Sequence, residues 1–355
     1  MHKSRHQVCR EFKEKGGKVA AVLPIHYPRP LLRAFDILPV EVWGPPRVDT
    51  TYGGAHLQPY VCAMVHNALS FLKSGGLDET DFILVPHACD SLQGLGSILI
   101  DFVKPVQPVL TLYMPRGRRK EDLEFLRDEI KSLYSQLSRL TGKEPDPQEL
   151  TEAIKVDELA DLKLRELYEK RPLISSPEFY RLIRKREYLP AEEFIELAEQ
   201  FLNKSGTGEK EGVPVIVSGI VPEPMDVLGV IEDAGGWIAW DDFACCGRRL
   251  YPPGNSDDPF TRMAERIING PPDVTRGSSI EERFHHLMNL IEKTGARGVI
   301  FYTIKFCEPE LFDLPELRNL LKSSGVPSVN VEVDINDPLP HQTITRIEAF
   351  LEVLE

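Results

Sequence analysis

At 355 residues, with 42% hydrophobic and 27% charged side chains, the chain has the composition of a globular protein long enough for two α/β domains. Its formal charge of −13 excludes a general nucleic-acid binder, which needs a positive face for phosphates. No apolar run is long enough to cross a membrane. The polar start Met1-His2-Lys3-Ser4-Arg5-His6 lacks a signal-peptide core, and six cysteines in that setting imply a reducing cytoplasm.

Cys9 falls in a polar, amphipathic N-terminal segment and is assigned no chemistry. Residues 18–44 then read as a strand ending Leu23-Pro24-Ile25, a proline-rich turn from His26 to Pro30, a short helix, and the strand Val40-Glu41-Val42-Trp43. Cys62 follows in Pro59-Tyr60-Val61-Cys62-Ala63, a pattern that predicts the first turn of a helix, where the dipole favours a thiolate. The apolar run 82–88 predicts a strand delivering Cys89, with Asp90 or Ser91 capping a helix over 92–102 and a strand over 108–114. The basic stretch Arg116-Gly117-Arg118-Arg119-Lys120 reads as a solvated loop that could also meet a phosphate.

Residues 121–201 change character. Leu, Glu, Lys and Arg recur at helical spacing, interrupted by Thr141-Gly142-Lys143-Glu144-Pro145-Asp146-Pro147, and Ser175-Ser176-Pro177 opens another helix. Residues 203–210 read as a linker. Residues 213–242 then repeat the opening pattern: strand 215–220, the turn Val221-Pro222-Glu223-Pro224, a helix through Glu232, and the strand Trp237-Ile238-Ala239-Trp240. His285-His286 falls on a helix face expected to be solvated. Run 298–306 delivers Cys307, a helix is expected from near Leu314, and a strand covers 326–333. The alternation predicts an α/β fold of two Rossmann- or flavodoxin-like parallel-sheet domains, an internal duplication with a helical insertion between them. The expected boundaries are residues 1–120, 121–210 and 211–355.

Right-handed crossovers place strand ends, and hence Cys89 and Cys307, on one rim where α/β folds bind ligands. Soft thiolates favour iron–sulfur or zinc over hard cations. Taken singly, each cysteine also reads as a small buried hydrophobe. Of Cys245-Cys246, at most one should join a cluster, because successive side chains diverge. His87 reads as a hydrogen-bonded strand-end histidine. Gly94-Leu95-Gly96 and Gly53-Gly54 complete no nucleotide-binding pattern.

Five motifs carry a resemblance: His87-Ala88-Cys89-Asp90-Ser91; Gly235-Gly236-Trp237-Ile238-Ala239-Trp240-Asp241-Asp242 with Cys245 and Gly247-Arg248; Phe306-Cys307-Glu308-Pro309; Glu332-Val333-Asp334; and the stretch from Gln342 to Phe350. Over residues 60–91 and 219–355 the chain resembles the 2-hydroxyacyl-CoA dehydratase and benzoyl-CoA reductase family. The resemblance implies a 4Fe–4S cluster on Cys62, Cys89 and Cys307, with Cys245 at a related position whose role is open. It also implies an acyl-CoA substrate, a paralogous or identical partner subunit in a dimer, and an ATP-dependent iron–sulfur activator supplying low-potential electrons in anaerobic metabolism. The alternatives are a structural or electron-relay partner subunit, or a double-cubane-type ATP-coupled reductase, which needs more cysteine ligands in one site. Apolar positions Leu159, Leu162, Leu164, Leu167 and Tyr168 spread widely enough for the insertion to contribute to an interface between subunits.

Overall fold

A computed structural model describes residues 3–171, 174–204 and 210–355. The first sheet contains β1 (Lys18–Val22), β2 (Ile37–Glu41), β3 (Phe82–His87) and β4 (Val109–Tyr113) in the order β2-β1-β3-β4, all parallel. The second contains β5 (Val213–Gly219), β6 (Gly236–Phe243), β7 (Gly298–Ile304) and β8 (Ser328–Val333) in the matching order β6-β5-β7-β8. The repeat expected from the sequence is therefore a repeat of topology. The central strands are buried almost throughout, which explains their unbroken apolar runs.

Flanking and connecting helices are α1 (Arg5–Glu14), α2 (Arg29–Ala34), α3 (Thr51–Gly54), α4 (Ala63–Lys73) and α5 (Asp90–Ile98) around the first sheet. Four helices follow before the second sheet: α6 (Lys120–Thr141), α7 (Pro147–Glu169), α8 (Ser176–Ile183) and α9 (Ala191–Lys204). Around the second sheet lie α10 (Asp226–Asp233), α11 (Pro259–Ile268), α12 (Ile280–Thr294), α13 (Glu308–Ser323) and α14 (His341–Leu354). Among the described residues, no helix is long and apolar enough to cross a membrane.

Local sequence sets these boundaries. Gly142 ends α6 in a left-handed conformation at φ 72°, and Asp146 caps α7 through the Gln148 and Glu149 amides, with Pro147 opening the helix. Ser175 caps α8 through the Glu178 amide. The greater part of the proposed linker, residues 205–209, lies outside the described residues.

The insertion buries many of its apolar side chains within the chain. Leu126, Ile130, Leu133 and Leu137 of α6 are fully buried at helical spacing, each such burial contributing about 1.5–3 kcal/mol. On α7, Leu164, Leu167 and Tyr168 are buried too, while Leu159 and Leu162 remain 42% and 49% exposed. Asp241, buried on β6, accepts hydrogen bonds from Tyr168 (2.9 Å), Arg171 (3.0 Å) and Tyr180 (2.8 Å), bolting the insertion to the second sheet. Arg186 and Arg266 likewise pair with the buried carboxylates Asp157 and Asp161.

The halves are also joined directly. Asn67 and Asn336 exchange amide hydrogen bonds of 2.9 and 2.7 Å, tying α4 to the loop after β8. Glu41 at the end of β2 accepts from Tyr27, Trp43 and Arg29 of its own half and from Arg249 of the other. Burial alone would raise its carboxyl pKa, but Arg249 and Arg29 hold it down at about 2.

Candidate functional site

Three of the six cysteines stand at the N-caps of α-helices. Cys62 is the N-cap of α4, Cys89 of α5 and Cys307 of α13, and none uses its side chain to close the cap. Each sulfur therefore sits at the positive end of a helix dipole, where the orphan amides of the first turn favour negative charge. Two helix starts differ from expectation. Cys89 itself, rather than Asp90 or Ser91, precedes the first turn of α5, and that helix gives way at Leu99 to a short wider-wound turn. Helix α13 begins at Glu308 instead of near Leu314, with Pro309 in its first turn and Pro315 inside it.

Parallel β–α units bring the three together. Cys89 and Cys307 occupy equivalent positions just past the third strand of each sheet. Cys62 reaches them because the Ala63 amide donates to the Lys305 carbonyl at 3.4 Å, joining the start of α4 to the end of β7. All three line one cavity of about 70 Å³. Its remaining wall is almost wholly apolar, with Ile25, Trp43, Met64, Leu95 and Ile220 contributed by both halves. Ser91 and Thr275 provide its hydroxyls.

All six cysteines are free thiols. The Cys62 and Cys307 thiols act on each other: Cys307 lowers the Cys62 pKa, while Cys62 and burial push Cys307 up. Burial pushes the Cys89 thiol up to about 12. Without a metal, Cys89 and Cys307 rest as thiols, so metal binding there would release protons. Among the described residues, no group of three or more His, Cys, Asp and Glu side chains is arranged around a single ion. A cubane does not require that arrangement, because each cysteine binds a different iron. The donor chemistry fits a cluster: three soft thiols in an apolar cavity whose lining includes no carboxylate or imidazole.

The neighbouring cysteines lie elsewhere. Cys245 and Cys246 line a separate cavity of about 30 Å³ beside Tyr27, Arg249 and Tyr251, while Ala244 reaches the three-cysteine cavity. Their sulfurs are 3.2 Å apart, so the expectation that adjacent side chains diverge is wrong here. Cys246 has φ −131° and ψ −94°, outside the helix and strand geometries on which that expectation rested. Cys9 is buried in a small cluster with Val8, Val19 and Leu38.

Other expected roles change as well. Both ring nitrogens of His87 are buried without a hydrogen-bond partner among the described residues, and the ring packs edge-on against Tyr113 at 4.5 Å. His285 is exposed as expected, but His286 turns inward to 3.7 Å from Asp242. In the basic stretch, Arg116, Arg118, Arg119 and Lys120 face Asp90, Glu282, Asp122 and Glu124 respectively.

A buried charge network behind the cavity is the main feature the sequence reading missed. Arg248 is fully buried and meets Asp242 through two hydrogen bonds of 2.9 and 3.0 Å. It also contacts Asp273 and Glu310, and Glu310 meets Arg283 at 2.8 Å. Burial would raise the Asp242 and Glu310 carboxyls; the facing Arg248 keeps both below their ordinary values. Because Glu310 lies one turn into α13, the network fixes the helix that Cys307 caps. Thr275 on the cavity wall donates to Asp273, which lies 3.7 Å from His26, whose Nδ1 is 2.7 Å from the Tyr251 hydroxyl. Burial drives His26 down to about 4. The legible signal was the pair Asp241-Asp242 inside an otherwise apolar strand.

With that geometry in place, the sequence profile for the 2-hydroxyglutaryl-CoA dehydratase D-component matches residues 24–354. The chain belongs to this family. Among similar proteins, the (R)-phenyllactyl-CoA dehydratase beta subunit of Clostridium sporogenes is 26% identical over 98% of this chain and 94% of its own length. The beta subunit of (R)-2-hydroxyglutaryl-CoA dehydratase from Acidaminococcus fermentans is 27% identical over 97% and 94%. One of the subunits of benzoyl-CoA reductase from Thauera aromatica is 24% identical over 91% and 87%. The family expected from the cysteine-bearing motifs is thus the one found.

Proposed function

We propose that this chain is an iron–sulfur subunit of a 2-hydroxyacyl-CoA dehydratase or an acyl-CoA reductase of the benzoyl-CoA type. It would work in the cytoplasm with a paralogous or identical partner and an ATP-dependent iron–sulfur activator. The observation carrying this reading is the convergence of three helix-capping cysteines, from both halves of the chain, on one apolar cavity. Names of similar proteins supply the reaction class, a coenzyme A thioester being dehydrated or reduced within a multi-subunit enzyme.

Cys62, Cys89 and Cys307 would hold the 4Fe–4S cluster. When bound, the cluster would supply low-potential one-electron chemistry to the thioester. The chain's own residues do the remaining work. The α4, α5 and α13 amides stabilise the thiolates, while Leu23, Ile25, Trp43, Met64 and Leu95 exclude water. The Arg248 network holds α13 in place. Cys245 and Cys246 lie away from this cavity, and Cys9 lies in another cluster, which argues against the larger set of ligands a double cubane needs.

The test is turnover. This chain, co-expressed anaerobically with its paralogue and supplied with activator, ATP and a 2-hydroxyacyl-CoA or aryl-CoA, should consume the thioester. Changing Cys89→Ser in this chain alone should abolish consumption. Undiminished turnover by that variant complex would remove the cysteine cavity from the reaction.

A further inference from the structure

Beside the cysteine cavity lies a larger cleft, of about 400 Å³, lined by α1, α4, the β2 end, α8 and the turn after β5. Val42 and Trp43 line both spaces. One face of α4 also serves both: Met64, Val65 and Ala68 face the cavity, and Phe71 faces the cleft. Nine residues separate Cys62 from Phe71, about 14 Å of helix, a distance an extended pantetheine arm covers. Trp43 is fixed between the two spaces, its indole N–H donating to Glu41 at 2.7 Å.

The cleft is lined by as many arginines as glutamates, in a chain of net −13. Arg5, Arg181 and Arg184 all line it. Arg5 is committed to Glu187 and the Glu41 carbonyl, and Arg184 to Glu187 and Glu223. Of the lining carboxylates, Glu41 is matched by Arg29 and Arg249 and Glu223 by Arg184, while Glu79 lies 3.0 Å from the His6 ring. Arg181 is exposed and has no hydrogen-bond or ion-pair partner among the described residues. An incoming anion would therefore meet one unspent guanidinium at the mouth of a cleft whose wall includes Trp43, Phe71 and Tyr188. Guanidinium and aromatic groups are what a nucleotide phosphate and its base recognise.

We infer that this cleft is the subsite for the adenine-nucleotide end of an acyl-CoA, with Arg181 contacting phosphate and the pantetheine arm lying along Trp43 towards the cysteines. The inference rests on the thioester reading above and adds to it where the coenzyme binds. An adenine nucleotide could also come from free ADP or ATP, so the probes must separate those sources.

The experiment is calorimetric titration of the anaerobically purified chain with coenzyme A, ADP and pantetheine, with iron measured on the same samples. Coenzyme A should bind about tenfold more tightly than either fragment, and Arg181→Glu should weaken coenzyme A and ADP by about tenfold each. Arg139→Glu, reversing an exposed arginine at the far end of α6, should leave both unchanged, and melting temperature confirms that each variant folds. Three results would overturn the subsite: no coenzyme A binding, equal binding by wild type and Arg181→Glu, or ADP binding as tightly as coenzyme A. If they occur with full iron, the thioester reading stands and only the subsite falls. Coenzyme A binding with no iron at all would instead sink the cluster reading and leave the subsite standing.

Discussion

Cys307→Ser is expected to strip the chain of its cluster, taking iron from about four atoms per chain to near none under anaerobic purification. Serine keeps the size of the side chain but replaces a soft thiolate by a hard, poorly ionised hydroxyl that binds iron weakly. The position leaves no substitute, since Cys307 is the second half's contribution to a cavity otherwise supplied by Cys62 and Cys89. Cys89→Ser should behave the same way. Cys245→Ser and Cys246→Ser should retain nearly full iron, because both thiols face a different cavity with Asp157, Arg186 and Arg266 on its wall. Iron and acid-labile sulfide assays on the four variants check this, and full iron in Cys307→Ser would refute the assignment.

The second large effect is on stability. Arg248→Met should destabilise the metal-free chain by about 3–5 kcal/mol, because Asp242 and Asp273 would be left buried without the cation that faces them, and Glu310 with Arg283 alone. Arg119→Met is the control: its ion pair with Asp122 involves a side chain 75% exposed, and such pairs contribute about 0–1 kcal/mol. Urea unfolding under reducing conditions measures both. A cost below about 1 kcal/mol for Arg248→Met would mean that the buried carboxylates find other partners, and that the network does not hold α13.

Much of the architecture was legible because parallel strands buried on both faces must be apolar throughout. The runs ending at His87 and Ile304 announced both the sheets and the cysteines beyond them. Helix starts were less legible. Pro315 reads as a first-turn proline, which points to a start near Leu314, whereas the helix starts six residues earlier with Pro309 also in its first turn. The directions of the Cys245 and Cys246 side chains were misread, because the turn after β6 follows neither strand nor helix geometry. The charge network escaped because arginine and glutamate ordinarily mark a surface. Their burial here depends on partners 25 and 62 residues from Arg248, a relation that no local pattern carries.

The most direct test of the account is a combined iron, acid-labile sulfide and EPR measurement on the wild-type chain, purified and kept without oxygen. About four irons and four sulfides per chain are expected, with a cubane signal on reduction. One zinc per chain with no labile sulfide would contradict it.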